Sequence, residues 1–244
     1  DGKRVIPLST IVCNFTRPAA GDPSLLSVDE VTTFFHEFGH ALNTLLFEGR
    51  YRRTFAPLDS VELPSQIMEN WALEPELLRS YARHYRTGEP MPQALIEKLR
   101  KSRLFNQGFQ NVEYLAAAYL DIAWHSKGDP KDRNVTKFEE NVMKEIGLIP
   151  EILPRYRSVH FSHMIGGYTA GYYAYIWAAV LDADAFGAFK ERSLFDRKTA
   201  LSFRKNILAS LGTEDTMTLY KKFRGREPKV EPLLEQRGLL GTDR

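Results

Sequence analysis

The residues best placed to do chemistry are His36-Glu37-Phe38-Gly39-His40, a pattern of two histidines four apart with a glutamate after the first. In a helix, side chains at i and i+4 share a face, so both imidazoles can reach one cation at about 2.0–2.1 Å from each nitrogen. Glu37 can hold a polarised water without itself ligating the ion. A catalytic cation site needs a third protein ligand and one open position. Glu62, in Val61-Glu62-Leu63-Pro64-Ser65-Gln66, is the candidate, 26 residues after His36. A short connection between two antiparallel helices brings the start of the second back towards the first. Glu69, two turns further along that helix, is placed to accept a hydrogen bond from a ligand histidine.

A second cluster runs from Phe161 to Tyr175 and contains His163, Gly166-Gly167, Tyr168, Tyr172 and Tyr175. Gly166-Gly167 reads as a flexible approach to a helix N-terminus. The i, i+4, i+7 spacing of the tyrosines predicts one face carrying three hydroxyls. Ala170, Gly171 and Ala174 would keep the adjoining surface low enough for a backbone to approach. Phenol and imidazole donors suit an oxygen that gains negative charge during a reaction, at roughly 2–4 kcal/mol per good donor. His84, His125 and His160 have no such spacing and read as surface or core residues.

These groups need a scaffold, and the remaining sequence predicts a mainly helical one. Ser27-Val28-Asp29-Glu30 is a capping box opening a helix that runs to about Phe47. A second helix is predicted from Asp59 or Ser60 through Trp71, with Pro64 in its early turns. Pro75 restarts a helix ending near Tyr85. Further helical patterns cover residues 93–102, 105–124, 135–146, 168–189, 198–211 and 214–223. Ile6 to Phe15 is β-branched and roughly alternating, predicting a small strand that Pro7 confines to a sheet edge. No internal repeat interrupts the 244 residues, so one domain is expected.

The composition is that of an ordinary globular chain, 43% apolar and 26% charged. A net charge of +2 gives no electrostatic case for nucleic acid or an acidic membrane, and neither is an expected partner. The apolar run from Tyr172 to Leu181 is about half the roughly 20 residues that a spanning helix needs. One cysteine, Cys13, excludes an internal disulfide framework and any four-cysteine metal site. The chain opens Asp1-Gly2-Lys3-Arg4, without Met or a targeting pattern, and reads as part of something longer.

Three separated motifs together resemble the thimet oligopeptidase and peptidyl-dipeptidase family of zincins. They are Phe35 through Leu42, Val61 through Trp71, and His163 through Tyr175. The C-terminal run from Leu219 to Pro228, with Arg237-Gly238-Leu239, is similar to the end of that family, and the likeness is to its bacterial peptidyl-dipeptidase branch. The resemblance implies a zincin-like helical catalytic domain, with residues 1–244 as the C-terminal catalytic region and the N-terminal helical part lacking. It implies one Zn²⁺ held by His36, His40 and Glu62, with Glu37 as general base. His163, Tyr168 and Tyr175 would meet the substrate or the developing oxyanion, with Tyr172, Gly166 and Gly167 close to the substrate. The edge strand near Ile11 to Phe15 would pair with extended peptide. Short peptides are the implied substrates, release of C-terminal dipeptides the implied reaction, and the cytoplasm the expected location. An endo-acting oligopeptidase would share every motif, and a non-catalytic peptide-binding fragment is the alternative outside enzymes. One departure is visible. Arg53 to Asp59 stands where the family carries a Gly-rich loop, and is about three residues shorter.

Overall fold

The computed structural model describes residues 5–51, 56–127 and 134–240. The first half of the departing loop, Arg53 to Phe55, lies outside them. Within them the chain is built almost wholly of helices.

Helix α1 (Val28–Leu46) starts where the capping box demands. The Ser27 hydroxyl accepts from the Glu30 N–H at 3.1 Å, and Glu30 Oε2 accepts from the Ser27 N–H at 2.7 Å. Glu30 Oε1 also accepts from the Thr16 N–H at 2.6 Å, so the same carboxylate ties down the N-terminal segment. These backbone donors, that of Thr16 first, hold its pKa down at about 2.

Helix α2 (Leu63–Ala72) follows a turn at residues 58–62 and carries Pro64 in its first turn, where no intrahelical N–H is required. It packs tightly on α1, and the contact depends on Gly39. A Cβ there would run into the Pro64 carbonyl oxygen and approach Ser65 Cα to 2.6 Å. Only glycine allows two backbones this close.

Helices α3 (Pro75–Tyr81), α4 (Gln93–Ser102), α5 (Gln107–Ser126) and α6 (Val135–Glu145) come next. A single turn α7 (Ser162–Ile165) precedes α8 (Ala174–Lys190), a mostly apolar central helix that also buries Asp182 and Asp184. Helix α9 (Arg197–Phe203) continues into a π-helical stretch, Arg204–Leu208. Helices α10 (Thr216–Arg224) and α11 (Glu231–Gln236) end the described chain. The main core joins Leu63, Ile67 and Trp71 of α2 to Leu181, Phe186 and Phe189 of α8, with Phe203, Ile207 and Tyr220 closing it. Helix α2 is thus held between α1 and α8, and its N-terminal end cannot drift from the histidines.

Two expectations are corrected. No strand forms over residues 6–15, and the β pairing among the described residues consists of two isolated bridges, Arg83 with Pro90 and Leu211 with Glu214. The alternation is real, since Pro7, Ser9, Ile11 and Cys13 are partly covered while Ile6 and Leu8 stand 85% and 90% exposed. A ladder also needs a neighbour's N–H and C=O groups, and none is offered here. The second correction concerns the tyrosines. Helix α8 begins at Ala174, so Tyr168 and Tyr172 lie in turns and the predicted helical stripe of three hydroxyls does not exist. Ala170 adopts a left-handed φ of 55°, which ends any helical path through this segment.

Candidate metal centre

His36 and His40 project from one face of α1, with ring centroids 5.0 Å apart. Glu62 occupies the N-cap position of α2 and is only 2% exposed. Its Oε2 lies 3.2 Å from His36 Nε2 and 3.2 Å from His40 Nε2. One ligand atom from each residue falls within 4.8 Å of the others. Ligands about 2.1 Å from a tetrahedral ion sit about 3.4 Å apart, so this donor set, two imidazoles and a carboxylate, fits a zinc ion.

The surroundings orient each donor. Glu69 Oε1 is 2.6 Å from His36 Nδ1, which directs the proton to that nitrogen and leaves Nε2 facing Glu62. Ser65 Oγ donates to Glu62 Oε2 at 2.7 Å, and Tyr168 O–H donates to Glu62 Oε1. Burial opposes charge on both partners, but hydrogen bonding wins. The His36 imidazole is raised to about 10 by Glu62 and Glu69, and the Glu62 carboxyl falls well below its usual range. The Glu37 side chain is half-buried on α1 and makes no hydrogen bond to another described residue.

Beside the cluster lies a cavity of about 420 Å³ whose wall includes His36, Gln66, His163, Tyr172 and Tyr175. Tyr168 is not on that wall; it stacks on Tyr175 at 4.9 Å and bonds Glu62 from behind. Burial, above all, raises the Tyr175 phenol and pulls the His163 imidazole down. His163 Nδ1 and Gln66 Oε1 are buried without a hydrogen-bond partner among the described residues. Gly166 and Gly167 are exposed at the edge of the tyrosine loop, and a Cβ on Gly167 would meet nothing. The small residues are not a platform for a ligand. Leu58 fills the space over Gly171, and Ala174 is fully buried.

What shapes the tyrosine loop comes from α5. The Asp121 carboxylate, 0% exposed, accepts from the N–H groups of Ala170 at 3.1 Å and Tyr172 at 2.9 Å. His125 Nδ1 lies 3.0 Å from its Oδ1. Tyr114 donates to the Tyr172 carbonyl at 2.8 Å and stacks on its ring at 5.0 Å. Sequence reasoning missed both residues, although Tyr114 and Asp121 stand seven apart on one helical face, a detectable signal.

Residues 1–239 match peptidase family M3. The chain belongs to that family. It is 44% identical to the dipeptidyl carboxypeptidase of Escherichia coli strain K12 over 239 residues, which cover 96% of this chain and 35% of that protein. Oligopeptidase A of the same strain is 41% identical over 249 residues, covering 99% and 36%. Saccharolysin of Saccharomyces cerevisiae is 32% identical over 247 residues, covering 98% and 34%. The chain therefore spans about a third of the length of the curated relatives it matches. Among the described residues no helix is long and apolar enough to cross a membrane.

Proposed function

We propose that this member of the family carries the catalytic centre of a longer zinc-dependent peptidase, acting on short peptides and releasing dipeptides from a free C-terminus. The observation that carries the reading is the convergence of His36, His40 and Glu62 beside a cavity lined by donors. Zinc held by those three residues supplies Lewis acidity, lowering the pKa of a water and polarising a carbonyl. Glu37, one residue along α1 from His36, takes the proton of the attacking water and hands it to the leaving amine. Tyr175 and His163 face the same cavity and donate to the oxygen that gains charge. Tyr175 suits the task because its phenol stays protonated, and His163 because a neutral imidazole keeps one N–H to give. Tyr168 holds Glu62, and Tyr172, only 2% exposed, backs the cavity wall. Gly166 and Gly167 border the loop that a bound chain would pass.

The test is Glu37→Gln. Zinc content by metal analysis should be unchanged while peptide turnover falls by about 10²–10⁴-fold; turnover near the parent rate defeats the base assignment. The kinship with oligopeptidase A favours a second reading, endo cleavage. Mass spectrometry of products from a peptide with a blocked C-terminus separates the two, since a dipeptide-releasing enzyme leaves it intact.

A further inference from the structure

We propose that Arg155 is the anchor for the substrate's C-terminal carboxylate, and so the residue that sets where the peptide stops. This rests on the peptidase reading above and adds to it the recognition of a chain end.

Arg155 stands on the wall of the cavity that holds His36, His163 and Tyr175. The same guanidinium also lines a larger polar cleft of about 670 Å³, which shares Gln66, Glu69, Tyr114 and Arg237 with the first. It lies 5.8 Å from the ring centres of both Tyr114 and Tyr156. Those faces fix its position without neutralising it. No carboxylate lies within 4 Å of it among the described residues, whereas some cations near the core are compensated. Arg226, for instance, reaches Asp184 at 2.6 Å. Arg237 differs too, because it already donates to Asn111. A positioned guanidinium that lines the cavity and has no carboxylate partner is a site for an anion, and its planar fork suits a carboxylate.

The spacing agrees. A cavity of about 420 Å³ is equivalent to a sphere about 9 Å across. Two extended residues span about 7 Å. His36 and Arg155 line this one cavity, which has room for about two extended residues. Two unpartnered polar atoms, Gln66 Oε1 and His163 Nδ1, belong to residues of the same wall and offer further partners to a peptide backbone.

The experiment measures binding and turnover separately on the zinc-loaded chain. The probes are N-acetyl-dialanine as free acid and as C-terminal amide, titrated by calorimetry into the parent protein, Arg155→Gln and Arg155→Lys. The parent should bind the acid at least tenfold more tightly than the amide. Arg155→Gln should bring acid affinity down to the amide level, and Arg155→Lys should fall between, because the charge survives without the fork. Equal affinity of the parent for acid and amide overturns the proposal, as does equal weakening of both probes in Arg155→Gln. Should Arg155→Gln not fold, the parent ratio and Arg155→Lys still decide. Hydrolysis of a longer free-acid peptide is followed in parallel. Turnover without acid preference defeats the anchor and leaves the peptidase reading standing. Acid preference without turnover does the reverse.

Discussion

The two halves of the site are held by different means. The histidine half stands on two helices in backbone contact at Gly39, with an apolar core behind them. The tyrosine half stands on a non-helical loop, given its shape by a buried carboxylate and a phenol from α5. Close backbone packing fixes the first, whereas the second adds hydrogen bonds to main chain to the packing of Phe161, Met164 and Tyr172. A ligand set must hold its distances to a few tenths of an ångström, which close-packed helices do well. A loop of donors can take up a shape that helical geometry forbids, at the cost of depending on one acidic side chain.

The strongest way to break this contrast is at the helix contact. Gly39→Ala forces a methyl group into backbone that cannot move aside. It should lower unfolding stability by about 1–3 kcal/mol and abolish stoichiometric zinc retention after dialysis; a normal zinc content would show that the crossing is not what sets the ligands. A smaller, more selective effect is expected at the loop. Asp121→Asn keeps size and burial but offers one acceptor where two N–H groups need it. Zinc content should stay intact while kcat falls about 10–100-fold, a misplaced donor costing on that order. Loss of zinc and kcat together would merge the two halves into one unit.

The smallest effect tests the seam between α2 and α8. Asp182 on α8 accepts from Asn70 of α2 at 2.7 Å and is buried, with Glu69, Arg103 and Arg237 acting on it electrostatically. Burial raises its carboxyl to about 8. The folded form then binds a proton that the unfolded form has released, between the ordinary value of 3.8 and about 8. Stability attributable to this group is therefore greatest at low pH and declines as pH rises through that window. Urea unfolding should show the parent losing stability as pH rises from 5 towards 8, with Asp182→Asn flatter. Identical slopes would remove Asp182 from the account.

The same contrast explains what could be read from the sequence. The capping box, the paired histidines and Pro64 in the first turn of α2 are local patterns, and each lies where the spacing placed it. Glu62 was reached from spacing too, although it caps α2 instead of lying inside it. The tyrosine loop was misread as helix because the i, i+4, i+7 pattern is local, whereas the Asp121 carboxylate that overrides it sits 49 and 51 residues away in sequence. The strand at residues 6–15 failed for a related reason, since alternation signals readiness to pair and says nothing of the partner. Helix α11 was missed because six residues give too short a period to detect. Arg155 carries no signature at all, and its interest comes from what surrounds it in space.

Glu62 divides its two oxygens between the halves, one towards both imidazoles and the other accepting from Tyr168. A phenol proton on one oxygen withdraws electron density from its twin. On the proposed zinc reading, the donor strength of Glu62 is thus set in part by a hydroxyl of the tyrosine loop held against its other oxygen. Were a cation held there as proposed, how softly it is gripped, and how acidic it leaves a coordinated molecule, would be traits that substitution in the loop tunes without replacing His36, His40 or Glu62.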